Sequence, residues 1–422
     1  MEVVTERVME TLSPQPWMTA RATSAVIAAL SAGGSEVRFV GGCVRDAVLG
    51  RTPGGDIDIA TPDLPLRVIS LLEAAGLKAV PTGIAHGTVT AVAFHEPFEV
   101  TTLRRDVETY GRHAKVAFTD DWTADAARRD FTFNALSCSP AGRLYDPFGG
   151  IADLKARRVR FVGRASDRIE EDVLRLLRFF RFYAHFGAPP PDSEALAAAE
   201  TLAPLLPTLS GERIAAETLK LLSAADPAPV MTLMRDHRVL IHFLPEAERL
   251  DRLARLVDIE VLMGLAADAP RRLAAALDGA LAAHTVAARL RLSNALRDRL
   301  TGALGEPMPW SHFTAAQCRA LRYRLTAESY RDRCLIAWAE KVDAVAGGDD
   351  RWRAALAYAD WAPPVFPIKG QDALDRGVGT GPDLGRLIAE LEQDWIASDF
   401  AGDRAALLGE LDRRLKSLKL KS

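Results

Sequence analysis

The chain has 422 residues, which is more than one hydrophobic core usually holds, and this length predicts two to four domains. Hydrophobic residues make up 48%, charged residues 26%, and the formal net charge is −3, a composition typical of a globular protein. No apolar run approaches the ~20 residues of a membrane-spanning helix, the cysteines form no C-x-x-C motif, and the histidines form no paired zinc motif. We therefore expect a cytoplasmic protein with no membrane segment, no disulfide framework and no zinc site.

The N-terminal third of the chain predicts a small sheet with helices. Residues 1–35 are rich in alanine and predict a helical lead-in, and residues 36–103 alternate between strand and helix patterns. The predicted strands are VRFVGG, DIDIAT, LKAVPT, GTVTAVAF and FEVTTL, and the predicted helices are CVRDAVLG and LPLRVISLLEAAG. This alternation indicates an α+β region.

The run VRFVGGCVRDAVLGRTPGGDIDIAT joins a Gly-Gly turn, an Arg-Asp pair and two spaced aspartates. Gly41 and Gly42 let backbone N–H groups approach a phosphate closely, and Arg45 can neutralise a phosphate oxygen one helical turn later. Asp56 and Asp58 are two residues apart on a predicted strand and therefore project from one face. Two carboxylates beside a glycine-rich turn can hold a divalent metal against a triphosphate. An exposed acidic strand after a loop is the alternative for the aspartates alone.

GGCVRD followed by DID resembles the head-domain signature of class II tRNA nucleotidyltransferases, the CCA-adding enzymes, and of bacterial poly(A) polymerases, within the polymerase β superfamily. The resemblance implies an α+β fold, with a small mixed-sheet nucleotidyltransferase head followed by all-α neck, body and tail domains. It implies that Gly42 and Arg45 contact the incoming nucleotide. It also implies that Asp56 and Asp58 bind Mg²⁺ and that Glu99 supplies a third carboxylate, although Glu99 could instead be an ordinary surface residue of its strand.

The segment after the predicted sheet contains two further motifs. Residues 104–127 are charged and poor in strand signals, which predicts a long loop leading into a helix. Within it, residues 106–121 resemble the flexible loop of CCA-adding enzymes, whose presence favours CCA or poly(A) addition over the addition of CC alone; a plain charged loop is the alternative. The sequence ARRDFTFNAL matches the family's RRD-x-x-x-NA motif and implies that Arg129 and Asp130 face the ribose and phosphates.

The sequence EDVLRLLRFFRF predicts a helix on which Asp172, Arg175, Arg178 and Arg181 recur every three residues as one stripe. A carboxylate beside a guanidinium can act as a protein template, because cytosine and adenine each present an amine next to a ring acceptor. Uracil and guanine would place a carbonyl against the carboxylate, which such a site rejects. In the family the E-D-x-x-R motif selects C and A, and the later arginines line the triphosphate and the binding cleft. A simple ion pair on a helix would explain Asp172 and Arg175 alone.

The neighbourhood of this helix is strongly basic. Between Lys155 and Arg181 we count nine basic and four acidic residues, which gives a local charge of +5 and favours an RNA contact despite the net charge of −3. From residue 168 onward the sequence predicts helices, and FPIKGQDAL and GVGTGPDLGRLIAELEQDWI resemble the tail segment of class II CCA-adding enzymes. The predicted domains are a catalytic head at 1–150, a base-recognising neck at 151–225, a helical body at 226–360 and a tRNA-binding tail at 361–422.

The resemblance implies a template-independent enzyme that adds CCA to the 3′ end of tRNA from CTP and ATP and releases pyrophosphate. The first alternative is a poly(A) polymerase that adds AMP to RNA 3′ ends, and the second is a noncatalytic RNA-binding relative. The only mildly basic C-terminal sequence LDRRLKSLKLKS favours tRNA over nonspecific RNA. The intact motif residues argue against a noncatalytic protein, and the oligomeric state is left open.

Overall fold

The computed structural model describes residues 8–54, 57–110, 113–305, 314–341, 350–379 and 381–419. The chain forms two compact units, Met1–Pro245 and Glu246–Ser422. Every residue predicted for the site belongs to the first unit, and the division into four domains stays a prediction. No helix among the described residues is both long and apolar enough to cross a membrane.

The strands of the described chain all belong to the first unit. They are β1 (Val8–Thr11), β2 (Arg38–Val40), β3 (Asp58–Thr61), β4 (Lys78–Gly83), β5 (Thr88–Ala93), β6 (Glu96–Thr102), β7 (Arg104–Tyr110), β8 (His113–Phe118), β9 (Ser137–Cys138) and β10 (Arg143–Tyr145). Eight of them form one sheet in the order β1-β10-β9-β2-β3-β6-β5-β4, while β7 and β8 form a separate hairpin. In the large sheet β3 and β6 run parallel and the other neighbours are antiparallel, so the predicted small mixed sheet is confirmed.

The helices of the first unit follow and flank this sheet. They are α1 (Pro16–Thr19), α2 (Arg21–Ser31), α3 (Gly42–Val48), α4 (Pro65–Ala74), α5 (Trp122–Ala127), α6 (Gly150–Lys155), α7 (Ala165–Glu171), α8 (Leu174–Phe186), α9 (Ser193–Leu202), α10 (Gly211–Leu222) and α11 (Ala228–Asp236). Helices α2 and α4 pack against each other and on strand β5. Their buried residues Val26, Leu30, Val68 and Leu72 are spaced four apart within each helix, which gives each one an apolar stripe for the core.

The described residues of the second unit form helices and no strand, as the sequence predicts. Its helices are α12 (Leu250–Leu262), α13 (Ala269–Ala276), α14 (Gly279–Arg289), α15 (Asn294–Ala303), α16 (Ala315–Arg324), α17 (Ala327–Ala339), α18 (Asp350–Ala357), α19 (Gly370–Leu374), α20 (Pro382–Ala397) and α21 (Arg404–Lys419). Leu387, Leu391 and Trp395 of α20 share a core with Leu407 and Leu411 of α21. Because these apolar residues recur at helical spacing, each helix has one apolar face, and the two faces share this core.

Two predictions about local structure are wrong in part. The segment predicted as a long loop forms the β7–β8 hairpin, in which Arg104 pairs with Phe118; residues 111–112 lie outside the described residues. A two-stranded ribbon is held by backbone hydrogen bonds and needs no apolar alternation, so its strands give a weak sequence signal. The predicted helical lead-in does contain helices, α1 and α2, but it also contains the unpredicted strand β1, which pairs with β10. Its strand character comes from that distant partner rather than from its own composition.

Candidate active site

A cleft of about 540 Å³ lies in the first unit and brings most of the predicted site residues together. Its lining consists of Gly41, Gly42, Arg45, Asp58, Arg128, Arg129, Asp130, Asn134, Asp172, Leu174, Arg175, Arg178, Phe182 and Arg213. The predicted residues in this lining are Gly42, Arg45, Asp58, Arg129, Asp130, Asp172, Arg175 and Arg178. Glu99 and Arg181 are not part of it, and Asp56 lies outside the described residues.

The turn between β2 and α3 depends on Gly41, which has a φ of +72° and precedes the first residue of the helix. A Cβ at this position would lie 3.0 Å from Nη1 of Arg129 and 3.6 Å from Oδ2 of Asp58. At Gly42 an added Cβ would meet only Nη2 of Arg45, at 3.7 Å, which is an ordinary contact. The first glycine is therefore the one that the local geometry requires, whereas the family resemblance implied a nucleotide contact for the second.

A chain of hydrogen bonds links helix α3 to the RRD motif and to helix α8. Arg45 Nη1 donates to Oδ1 of Asn134 at 3.0 Å, and Asn134 Nδ2 donates to Oδ1 of Asp130 at 2.9 Å. Arg178 completes the chain with an Nη2 atom 2.5 Å from Oδ2 of Asp130. Asn134 was not predicted as a site residue, although the NA of its motif was the signal that could have identified it. These bonds hold three separate segments at fixed positions around the cleft.

The buried carboxylate of Asp130 is kept ionised by this network. Burial alone would raise the pKa of Asp130, but the positive charge of Arg178 and the hydrogen bond from Asn134 outweigh burial and bring the pKa below its ordinary value. The same pairing raises the pKa of Arg178, against the effect of burial. The pair therefore presents a fixed guanidinium at the edge of the cleft.

The carboxylates predicted to bind metal are only partly within the described residues. Asp58 begins β3 and lines the cleft, while Ile59, next to it, is buried on the other face of the strand. Glu99 lies on β6 directly beside Asp58 in the parallel register, but its side chain is exposed and outside the cleft lining. Among the described residues there is no group of three His, Cys, Asp or Glu side chains placed to hold a metal ion.

Asp125 and the backbone of Asn134 hold the guanidinium of Arg129 in place. Its Nη2 atom lies 3.4 Å from Oδ2 of Asp125, and its Nη1 atom donates to the carbonyl oxygen of Asn134 at 3.4 Å. Arg168, a buried residue of α7, donates to the carbonyl oxygen of Arg129 at 2.9 Å. Arg168 belongs to the basic run read from the sequence, but the structure gives it an internal role in fixing the RRD motif.

The single helix predicted to carry Asp172 and Arg175 is broken. Helix α7 ends at Glu171 and α8 begins at Leu174, and Asp172 between them has an extended backbone with φ of −151°. The cause is local, because Oδ1 of Asp172 accepts a hydrogen bond from the backbone N–H of Leu174 at 3.1 Å and so competes with helix continuation. The two side chains still line the same cleft, but they do not share one helix face.

Asp172 and Arg175, the predicted base template, do not pair with each other. The carboxylate of Asp172 accepts from Nη2 of Arg213, at 3.1 Å to Oδ1 and 2.7 Å to Oδ2. Arg175 pairs with the carboxylate of Glu171 and donates to the carbonyl oxygen of Arg168 at 3.0 Å. Arg213, near the start of α10, was missed by the sequence reasoning. No local pattern in the sequence pointed to Arg213, because its partner Asp172 lies 41 positions earlier in the chain.

Arg181 lies outside the cleft because it is used in the packing of α8 against α10. Its Nε atom is 2.6 Å from Oε2 of Glu217, and its guanidinium stacks on Phe182 with 4.0 Å to the ring centroid. Burial lowers the pKa of Arg181 despite the carboxylate of Glu217. Phe182 in turn packs edge-on against Phe131 and Phe133, with centroid distances of 5.2 and 5.4 Å. This aromatic cluster joins the RRD motif to helix α8.

Most of the basic run between residues 155 and 181 is paired with carboxylates of the protein itself. Six of its nine basic residues pair with carboxylates: Arg160 with Asp153, Arg164 with Asp167, Arg168 and Arg175 with Glu171, Arg178 with Asp130, and Arg181 with Glu217. The segment therefore presents less positive charge to an RNA than its composition suggests.

Two family models match the first unit and its end. Residues 37–160 match the Poly A polymerase head domain, and residues 191–250 match a domain described as the probable RNA and SrmB-binding site of polymerase A. The first match covers the turn, the strand with Asp58 and the RRD motif. The second covers Arg213.

Similar proteins align with most of the chain or with half of it. The chain is 32% identical over 407 residues to the mouse (Mus musculus) protein CCA tRNA nucleotidyltransferase 1, mitochondrial, an alignment that covers 90% of this chain and 87% of the mouse protein. It is 40% identical over 214 residues to the CCA-adding enzyme of Geobacillus stearothermophilus, which covers 50% of this chain and 51% of that enzyme.

Solved structures share the fold. The Bacillus stearothermophilus CCA-adding enzyme in complex with CTP matches with a TM-score of 0.71 and 24% identity, over 95% of this chain and 99% of that chain. The Thermotoga maritima CCA-adding enzyme complexed with tRNA matches with a TM-score of 0.61 and 18% identity, over 96% of this chain and 100% of that chain. At these identities the likeness concerns the fold, and it confirms the predicted fold class.

Proposed function

Because the chain belongs to the family of CCA-adding tRNA nucleotidyltransferases, we propose that its cleft adds C, C and A to the 3′ end of tRNA from CTP and ATP. The family predicted from the sequence is thereby confirmed. The observation that carries the proposal is that the Gly-Gly turn, Asp58 and the pair Asp172 and Arg175 meet in one cleft. A nucleotide-binding turn, a strand carboxylate and base-reading groups are the parts that such a reaction needs.

The triphosphate is assigned to the end of the cleft nearest α3. Gly42 offers its backbone there, and Arg45, Arg129 and Arg178 line the same space. In the reaction the 3′-hydroxyl oxygen of the RNA gives up its proton to solvent and bonds to the α-phosphorus, the bond from that phosphorus to the bridging oxygen breaks, and pyrophosphate leaves. Fixed guanidinium groups stabilise the negative charge that spreads over the phosphate oxygens during this exchange.

A divalent cation fits the carboxylate of Asp58 in the cleft lining. Asp58 lies beside the glycine turn, and carboxylate oxygens are the ligands that Mg²⁺ prefers. We assign Mg²⁺ to Asp58 together with Asp56, and Glu99 on the neighbouring strand is the candidate third carboxylate. When bound, such an ion stabilises developing charge on the phosphate and on the attacking oxygen.

Base selection is assigned to Asp172 and Arg175. The Asp172 carboxylate would accept from the exocyclic amine of cytosine or adenine, while the Arg175 guanidinium would donate to the adjacent ring nitrogen. Arg175 must leave or share its bond to Glu171 to do this. The proposal thus includes a change of partner for Arg175 when a nucleotide binds.

The cytoplasm is the proposed location. The four cysteines are all free and buried, which suits a reducing compartment. The mouse and human relatives are named as mitochondrial, so the compartment belongs to the proposal and not to the family assignment.

The test is to incubate the purified chain with a tRNA that lacks its 3′ CCA, supplying CTP and ATP separately and together, and to sequence the products. We expect CC with CTP alone, and CCA with both nucleotides. Long A tails would identify a poly(A) polymerase, and bound but unextended tRNA would identify a noncatalytic relative. A tRNA that already ends in CCA is the control, because a CCA-adding enzyme leaves it unextended.

A further inference from the structure

We propose that Arg213 is a positioning residue for base selection, which holds the carboxylate of Asp172 in the orientation that reads the amine of the base. This inference rests on the proposed function. It starts from the contact between Nη2 of Arg213 and both oxygens of Asp172, at 2.7 and 3.1 Å. Both side chains line the cleft and are largely buried, with exposed fractions of 23% and 21%.

Asp172 needs such a partner because its backbone gives it little support. It lies in the break between α7 and α8, so no helix fixes the direction of its side chain. Within the structure its carboxylate accepts three hydrogen bonds, one from the N–H of Leu174 and two from Arg213. A carboxylate offers about four acceptor sites, so about one remains for a ligand. That number matches a single amine hydrogen.

Arg175 does not perform this task in the structure. Its guanidinium pairs with Glu171 and donates to backbone carbonyl oxygens of Arg168 and Arg128. The neighbour in the motif therefore points to other acceptors, and the residue that orients Asp172 comes from α10, 41 positions later in the chain. Base choice then depends on how α10 is placed as well as on the motif itself.

The consequence concerns discrimination more than nucleotide binding. With Arg213 in place, the carboxylate presents a fixed acceptor and opposes the carbonyl group that uracil or guanine would bring. Without Arg213 the carboxylate is held by one bond only, to Leu174, and can rotate away from either base edge. The correct base then loses its hydrogen bond, and the wrong base loses its repulsion.

The chain offers a matched control on the same helix. Glu217 lies one turn after Arg213 on α10 and pairs with Arg181 of α8. It is buried and outside the cleft lining. Glu217→Gln therefore weakens an ion pair between the same part of α10 and α8 without touching Asp172.

The experiment measures kcat/KM for CTP against UTP on tRNA lacking CCA, and for ATP against GTP on tRNA ending in CC. We expect Arg213→Gln to lower both ratios by about 10-fold or more, because a charge-assisted bond to a buried group is lost. Arg213→Lys should restore part of the ratio, since it keeps the charge. Glu217→Gln should leave both ratios unchanged, even where it lowers the unfolding midpoint.

A double variant tests whether Arg213 acts through Asp172. Asp172→Ala alone should lower the ratios by about 5- to 150-fold, and adding Arg213→Gln should lower them no further. Ratios in Arg213→Gln within about twofold of the wild type, or an equal change in Glu217→Gln, would overturn the inference. If the wild type itself adds neither C nor A, the proposed function fails, and that result is read before any variant is compared.

Discussion

Two arginine-rich regions of the molecule both contain arginine–carboxylate ion pairs, but the pairs have different roles. The cleft of the first unit has six arginines and three aspartates in its lining, and other carboxylates such as Asp125 and Glu171 hold the arginines from behind. The second unit contains a buried ionic cluster, defined as Glu260, Asp268, Arg271, Arg272, Arg299 and Asp332, with three residues of each sign. The cleft side chain of Arg178 is 31% exposed, whereas Arg272 in the cluster is 3% exposed.

The difference shows that the count of arginines does not mark a nucleotide site. In the cluster, burial raises the pKa of Glu260 even though Arg272 and Arg271 both pair with it, so the cost of desolvation exceeds the gain from the ion pairs. In the cleft, carboxylates such as Asp125 and Glu171 pair with the guanidinium groups, and the guanidinium groups still line a space that a ligand can enter. A polyanionic ligand can replace water there. The cluster serves the packing of α12, α13, α15 and α17.

The largest expected effect is a loss of nucleotide addition without a loss of tRNA binding. Asp58→Asn should reduce nucleotide addition by at least about 10³-fold, because a metal ligand is lost where charge develops, and should leave tRNA binding unchanged. Addition is measured with tRNA lacking CCA, and binding by filter retention. Asp63→Asn, just beyond the end of β3 and outside the cleft lining, is the control. Addition by the Asp58 variant at the wild-type rate would disprove the assignment of Asp58.

The second prediction concerns the buried ionic cluster. Glu260→Gln should lower the free energy of unfolding by about 3 kcal/mol, because Arg271 and Arg272 lose a buried counter-charge. Denaturant unfolding measures this change. Asp298→Asn is the control, since its pair with Arg297 is exposed and should contribute less than about 1 kcal/mol. Equal losses in the two variants would contradict the distinction between buried and exposed pairs.

A glycine substitution tests the geometry of the turn. Gly41→Ala should cost about 1–3 kcal/mol, because a side chain is strained at a φ of +72° and a ψ of −129°, and should also lower kcat/KM by displacing Arg129. Gly34→Ala is the control, because Gly34 has a φ of +82° and an added Cβ would meet no atom within 4 Å. If Gly34→Ala impairs addition as much, strain alone explains the result and the contact with Arg129 is irrelevant.

The smallest expected effect is the pH dependence of the Asp130–Arg178 pair. The folded pKa of Asp130 is lower than its model-peptide value of 3.8, so the pair contributes its full stability above pH 3.8 and loses it as the pH falls through the folded value. The stability difference between the wild type and Asp130→Asn should therefore shrink as the pH is lowered from 5 to 3. A difference that stays constant over this range would show that the carboxylate charge has no part in it.

The sequence predicted those parts of the site that short motifs encode. The Gly-Gly turn, the strand of Asp58 and the RRD motif form as the local patterns indicate. The break at Asp172 was missed because helical spacing was weighed without the competing bond from its side chain to the N–H of Leu174. Arg213 was missed because its partner is 41 residues away, and no periodic pattern reports such a contact.

The basic run at residues 155–181 shows that the same limit applies to charge. Its composition indicated an RNA-binding segment, but Arg178 pairs with Asp130 and Arg181 with Glu217, both of which lie outside the run. Local net charge counts only neighbours in sequence, whereas neutralisation depends on neighbours in space. The fold class was predictable for the opposite reason, since the alternation of apolar residues in β5 and the stripe on α4 are local features.

A crystal structure of the chain with CTP would show whether one cleft in the first unit both binds the incoming nucleotide and reads its base. We expect the cytosine amine within hydrogen-bonding distance of Asp172, the ring edge on Arg175, and the phosphates against Gly42 and Arg45. We also expect Arg213 to remain in contact with Asp172 in the complex. CTP bound elsewhere, or bound in the cleft with its base away from Asp172, would contradict the claim.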